Sequence, residues 1–203
     1  HFGIYGGTQI GSLGLRAGAA YTWSDISTSR SVVFPGFSDS LNADYNTGTF
    51  QAFGEAGYRI DSATVSFEPF ANLAYINLHT DGFTEKGGGA ALTSSSQTTD
   101  TTFATLGIRA STAFDLGGMR ATARGMIGWR HAFGDTTPQA TVAFARGSAF
   151  TVAGVPIAKD AAVLEAGLDF VISDNATFGI SYSGQFGSHA RDNGAKANLR
   201  VEF

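Results

Sequence analysis

Between residues 162 and 172 every second side chain is apolar. Ala162, Leu164, Ala166, Leu168, Phe170 and Ile172 hold one phase, and Glu165, Gly167 and Asp169 fall in the other. Neighbouring side chains on a β-strand point to opposite faces, so the spacing predicts a strand with one greasy and one polar side. The same rule returns along the chain. Phe178, Ile180, Tyr182 and Phe186 alternate with Gly179, Ser181, Ser183 and Gln185, and Ala197, Leu199, Val201 and Phe203 alternate with Lys196, Asn198, Arg200 and Glu202. Earlier, Leu13, Leu15, Ala17, Ala19, Tyr21 and Trp23 oppose Arg16, Gly18 and Thr22, while Phe50, Ala52, Ala56 and Tyr58 oppose Gln51, Glu55 and Arg59. Leu106, Ile108 and Ala110 oppose Thr105, Arg109 and Ser111, and Ala121, Ala123, Ile127, Trp129 and Phe133 oppose Arg120, Thr122, Arg124 and Arg130.

Strands of this kind need two different solvents. A Lys or Arg facing lipid near the midplane of a bilayer costs about 2–4 kcal/mol, so charges kept in one phase must look at water or protein. The reading is all-β: an antiparallel, up-and-down transmembrane β-barrel with a wet interior. Composition agrees, since 17 Phe, 6 Tyr and 27 Gly accompany only 15% charged residues. No stretch is apolar over the ~18 or more residues a spanning helix requires. Cysteine is absent, which excludes disulfides and thiolate metal sites. The net charge of −4, with basic residues scattered, leaves no nucleic-acid footprint.

Links between the strands carry orientation. Short turns are expected at about Ile10 to Ser12, Asp61 to Ser62, Leu116 to Gly118 and Ser173 to Asn175, and longer links at about Ser27 to Asn42, Gly82 to Asp100, Gly134 to Asp160 and Gly187 to Gly194. Outer-membrane barrels have short periplasmic turns and long extracellular loops, which puts the four short links in the periplasm. The phase slips near Tyr75, Ile76, Asn77 and Leu78, where a bulge or strand end is expected. Pro69 removes a ladder donor and calls for an irregularity beside it. About nine strands result, whereas single-chain bacterial barrels have an even number. The expectation is therefore a barrel of which the first strands lie upstream of residue 1.

Several separated stretches support a more specific reading. They are LRAGAAYTW (Leu15 to Trp23), FGEAGYRI (Phe53 to Ile60), FEPFANLAY (Phe67 to Tyr75), GMIGWRHAF (Gly125 to Phe133), AFTVAGVPIAKD (Ala149 to Asp160), EAGLDF (Glu165 to Phe170) and YSGQF (Tyr182 to Phe186). In sequence and order they resemble the autotransporter β-domains, the translocators of type V secretion, over nearly the whole of residues 1–203. The resemblance implies a monomeric, twelve-stranded barrel in the Gram-negative outer membrane. It would carry an α-helical segment in its lumen, joined to an N-terminal passenger exported to the cell surface. No catalysis and no cofactor are expected of the chain. The chain end adds a cue: Leu199, Val201 and Phe203 resemble the terminal signal that the barrel-assembly machinery recognises, although Ala195 stands where many relatives have an aromatic. A passenger-less porin- or adhesin-type barrel is the alternative.

The polar phase collects the candidate lumen-facing residues Arg16, Glu55, Arg59, Glu68, Arg109, Arg120, Arg124, Arg130, Glu165, Asp169, Lys196 and Arg200. Arg120, Arg124 and Arg130 share one strand face next to Glu165 and Asp169, so cross-wall ion pairs are expected. Trp23, Tyr58, Phe114, Trp129, Phe133, Phe170 and Phe186 lie at strand ends, where amphipathic rings favour the headgroup level. A rim hydrolase would draw on His79 with Asp81, His131 with Asp135, or Ser188 with His189 and Asp192. Proximity in sequence does not make a triad, and no metal-ligand spacing is present. Gly87, Gly88 and Gly89 read as a flexible linker. Residues 134–160 hold strand-like pieces, Ala140 to Ala145 and Ala149 to Val155, around Arg146-Gly147-Ser148, which predicts a hairpin standing above the membrane.

Overall fold

The computed structural model describes residues 1–188 and 190–202. The elements in chain order are β1 (Phe2–Ile10), β2 (Leu13–Phe34), β3 (Phe37–Tyr58), β4 (Ile60–Asp61), β5 (Ser66–Thr80), β6 (Phe83–Thr84), β7 (Leu92–Ser94), β8 (Gln97–Leu116), β9 (Met119–Gly134), β10 (Gln139–Phe144), β11 (Phe150–Ala153), β12 (Asp160–Ser173), β13 (Ala176–Gly187) and β14 (Arg191–Val201). Nine of them form one sheet in the order β1-β2-β3-β5-β8-β9-β12-β13-β14, with β4 paired to β5, and β11-β10-β7-β6 form a second. All pairings are antiparallel. The large sheet curls into a half-barrel, so that Arg16 on β2 and Lys196 on β14 line one cavity.

The wall is turned inside out relative to a water-soluble protein. Leu73 is 57% exposed, Leu106 54% and Ile127 60%, all in the phase that faces away from the cavity. Among the described residues Leu41 is the one large side chain under 2% exposed, so the apolar surface lies outside rather than in a core. Facing residues share a side of the sheet, and the pairs Leu106–Trp129, Ile108–Ile127 and Phe170–Phe178 run around the convex face.

The convex face changes character along each strand. On β2 the outward residues are apolar from Leu13 to Trp23 and then become Asp25, Ser27, Ser29 and Ser31; on β3 they turn from Phe50 and Gly48 to Asn46, Asp44 and Asn42. Leu13 to Trp23 matches the ~9–11 residues of a tilted membrane-spanning strand. Each strand of this hairpin has 22 residues, so about ten stand beyond the apolar belt. Here the structure corrects the sequence reading: the expected link from Ser27 to Asn42 is a continuation of both strands to a turn at Pro35-Gly36. Polar residues on the outward face, Asp25 to Ser31, hid it: above the belt that face meets water, while the inward phase carries the buried Leu41 and Ala43, so the alternation is inverted there.

The same reason removes the expected bulge near Tyr75. The pairing of β5 with β8 is unbroken from Ser66 to Thr80. Tyr75 is the last outward residue of the belt, and Asn77, also outward, donates to Asp100 at 2.7 Å. Polarity reversed there while the strand continued. Pro69 does mark an interruption: the pairing with β5 stops at Gly57–Phe70 and resumes at Ile60–Phe67, with Pro69 in the gap. The short turns fall at residues 11–12, 62–65, 117–118 and 174–175. The last link is shorter than expected, since β13 ends at Gly187 and β14 starts at Arg191. The predicted hairpin within 134–160 is present as β10 and β11, and it joins residues 92–94 across the loop boundary.

Candidate functional site: the charged concave face and its rim

The register decides which charges meet. Arg16 faces Glu55 across β2 and β3, and Glu68 faces Arg109 across β5 and β8. These two pairs merge into a quartet. Arg16 Nη1 donates to Glu55 Oε1 at 2.7 Å and to Glu68 Oε1 at 2.9 Å, while Arg109 Nη1 and Nη2 reach Glu55 Oε1 and Oε2 at 3.0 and 2.8 Å and Nη1 reaches Glu68 at 2.9 Å. Asn72 adds a contact to Glu55 at 3.4 Å. The Glu55 side chain is only 9% exposed, so its charge depends on these partners.

Packing fixes the geometry of the quartet. The Arg109 guanidinium lies 3.8 Å from the centroid of the Phe70 ring, an arrangement in which the cation meets the negative face of the ring. Phe70 in turn lies over Gly107, its partner in the ladder; a Cβ on Gly107 would come within 2.8 Å of the ring. The glycine is needed for close approach. Phe53 covers Gly18 in the same manner. These inward aromatics were missed by the sequence reading; the signal is an aromatic in the polar phase with glycine opposite it.

A cavity of about 750 Å³ is lined by Arg16, Arg59, Glu68, Arg109, Arg124, Glu165 and Lys196 among others. Arg124 pairs with Asp169 at 3.1 Å, as the sequence suggested. Arg59 turns instead to Asp61 and Ser66 at the short-turn end. Arg130 takes Gln185 at 2.9 Å and Thr105 at 3.3 Å, one level higher. Among the described residues, Arg120, Arg200, Lys196 and Glu165 form no ion pair. Leu199 lies on the convex face, 64% exposed, with Val201 in the same phase; Phe203 falls outside the described residues.

The rim histidines take other partners than expected. His131 Nδ1 is 2.7 Å from Asp160, its ladder partner on β12, rather than Asp135. Trp129 donates to the same carboxylate at 3.1 Å, and His131 packs edge-on against Phe133. His79 keeps Asp81 at 3.4 Å through Nε2 and has Thr98 at 2.9 Å on Nδ1. Both histidines lie in the outward phase, beside aromatic or hydroxyl neighbours. His189 is outside the described residues, so the third set is not tested.

Above the belt lies a contact the sequence did not foretell. Gly87 and Gly88, read as part of a flexible linker, are packed instead: a Cβ on Gly87, whose φ is +128°, would collide with the Ser40 carbonyl, and one on Gly88 with the Asp39 carboxylate, while Gly89 stands in open space. Glu85, 8% exposed, receives Arg30 Nε at 3.1 Å and Nη2 at 2.5 Å, and accepts from the Leu92 amide at 2.9 Å. The Arg30 guanidinium, aided by that amide, holds the Glu85 carboxyl below the ordinary carboxylate range. Asp39 and Lys86 are the other charged groups of this contact. A carboxyl that titrates lower when docked supports docking fully above the free-glutamate range, about pH 4.3, and that support is lost as pH falls through the lower docked value. The Leu92 amide resonance should therefore titrate with a midpoint below that of free glutamate, and Glu85→Gln should abolish the transition.

Comparison with known proteins agrees with this architecture. Two proteins of Serratia marcescens, each described as "Extracellular serine protease", are 42% and 40% identical over 204 aligned residues, covering 100% of this chain and 20% of each relative. The chain thus spans about a fifth of the length of the curated relatives it matches. Residues 1–183 match the model described as Autotransporter beta-domain. With its apolar convex wall, charged concave face and up-and-down strand order, the chain belongs to the autotransporter β-domain family.

Proposed function

We propose that this segment is the outer-membrane translocator and anchor of a longer protein, whose N-terminal passenger it exports and displays at the surface of a Gram-negative cell. The observation that carries the reading is the two-faced wall: an apolar belt as tall as a bilayer outside and a quartet of paired charges inside. In this reading the concave face is the aqueous lumen, and Arg16, Glu55, Arg59, Glu68, Arg109, Arg120, Arg124, Arg130, Glu165, Asp169, Lys196 and Arg200 face it. Strands β1 and β14 end the sheet, and open edges are not tolerated in hydrocarbon. Further strands would close the wall, and the resemblance to the family implies a monomeric barrel of about twelve with a helical segment of the same protein in its bore. Leu199, Val201 and Phe203 serve recognition by the barrel-assembly machinery.

Catalysis is not assigned to this segment; the protease description belongs to relatives five-fold longer. The test is export of the full-length protein. Deleting residues 1–203 should leave everything N-terminal to them in the periplasm, protected from external protease, while the intact protein displays or releases it. If export survives the deletion, the translocator reading fails; if the intact protein brings nothing N-terminal to residue 1 to the surface, the passenger-less barrel takes its place.

A further inference from the structure

Residues 85–90 form a strap across the β2–β3 hairpin. They cover the face of the ribbon that carries Asp39, Leu41 and Ala43, in phase with Gln51, Phe53 and Glu55 of the concave wall below. Leu41 beneath the strap is fully buried and Ala43 is 5% exposed. One side chain dominates the attachment. The Arg30 guanidinium binds both oxygens of Glu85 and donates from Nη2 to the Ala90 carbonyl at 3.0 Å, while the Ala90 amide donates to Asp39 Oδ2 at 2.8 Å. Asn42 and Lys86 exchange two backbone hydrogen bonds at 2.9 and 2.8 Å, and Tyr45 stacks on Phe83 at 4.6 Å.

The strap is not isolated. It runs into β7, which pairs with β10, and β10 with β11, so this contact ties the second sheet to the hairpin. Among the described residues, main-chain pairing of the second sheet and its entry with the hairpin is confined to the Asn42–Lys86 bridge and the Asp81 amide on Asn46.

We propose that Arg30 is a latch. Bound to Glu85 and Ala90, it holds the strap and the second sheet against the inner side of the hairpin at the extracellular outlet of the bore. Released, it lets them swing clear, so the latch sets the aperture through which the bore opens to the outside. The inference rests on the barrel reading above.

Conductance of the full-length protein in planar lipid bilayers tests it. Arg30→Ala should raise the ratio of open to closed states by roughly ten-fold or more, the scale of one lost hydrogen-bonded ion pair. The exchanged pair Arg30→Glu with Glu85→Arg should restore the closed state. A lock isolates the motion from any damage to folding. Asn42 and Lys86 form a hydrogen-bonded antiparallel pair, whose usual Cα separation of about 5.5 Å suits a disulfide, and the chain has no native cysteine to interfere. In Asn42→Cys with Lys86→Cys, added to Arg30→Ala, oxidation should close the channel and reduction reopen it. Unchanged conductance on releasing Arg30, or an open channel that ignores the oxidised lock, overturns the latch. Absence of conductance in every variant, Arg30→Ala included, from protein that inserts into lipid vesicles as a protease-resistant β-fold overturns the latch alone; failure of the wild type to insert overturns the barrel reading and the latch with it.

Discussion

Arg109→Ala should lower the stability of the folded domain by about 2–4 kcal/mol, measured as the shift of the urea midpoint of the full-length protein in detergent micelles. Arg109 holds both carboxylates of the quartet and stacks on Phe70. Truncating it leaves Glu55, 9% exposed, and Glu68, 18% exposed, with Arg16 as their single cationic partner. Breaking a fully buried pair costs about 3–5 kcal/mol because a charge is left desolvated and alone. The cost here falls at or below that range, since Arg109 is 33% exposed and Arg16 remains in place. Arg109→Lys should recover only part of the loss, because an ammonium cannot reach Glu55 Oε1 and Oε2 and Glu68 at once from a planar fork. Equal midpoints for wild type and Arg109→Ala would show that the quartet is a bystander.

The second large effect comes from two neighbours on β9. Ile127→Arg should destabilise the domain in bilayers by about 2–4 kcal/mol, the cost of a cationic side chain on the lipid face near the midplane. Met126→Arg, one residue away, should cost far less. Ile127 is 60% exposed on the convex side, whereas Met126 lines the cavity between two ladder neighbours, Glu165, which offers a new cation a partner, and Arg109, whose charge is already met by Glu55 and Glu68. The contrast reports which face meets lipid independently of how well Arg fits any strand. Folded fraction against urea in lipid vesicles measures it. Should Met126→Arg prove the more damaging of the two, the inside and outside of the wall have been exchanged.

Much of this wall was readable from residue order alone, and the reason is local. On a strand the face of a side chain depends only on whether its position is odd or even, so Glu165 and Asp169 separate from Leu164, Leu168 and Phe170 without knowledge of any neighbour. The four short turns, the ladder interruption at Pro69 and the hairpin of β10 and β11 follow from equally local rules. Parity stopped being informative where the outer solvent changed. Above the belt Asn77 and Asp25 face outward into water, so polarity no longer labels a face, and the continuation of β2 and β3 looked like a loop.

What only the tertiary structure decided is which residues of different strands meet. Parity lets Arg16 face the same side as every candidate carboxylate; the register selects Glu55 and Glu68. It gave His131 Asp160 in place of Asp135, because a ladder partner 29 positions away lies closer than a loop residue four positions away. The Arg30–Glu85 latch joins two links separated by an entire hairpin, and Gly87 and Gly88, which permit it, were indistinguishable from a linker until Ser40 and Asp39 were seen against them. Alternation assigns each side chain to a face, a property of single residues. Pairing is a property of strands brought together, set by register and twist, and it is there that the charge quartet and the latch arise.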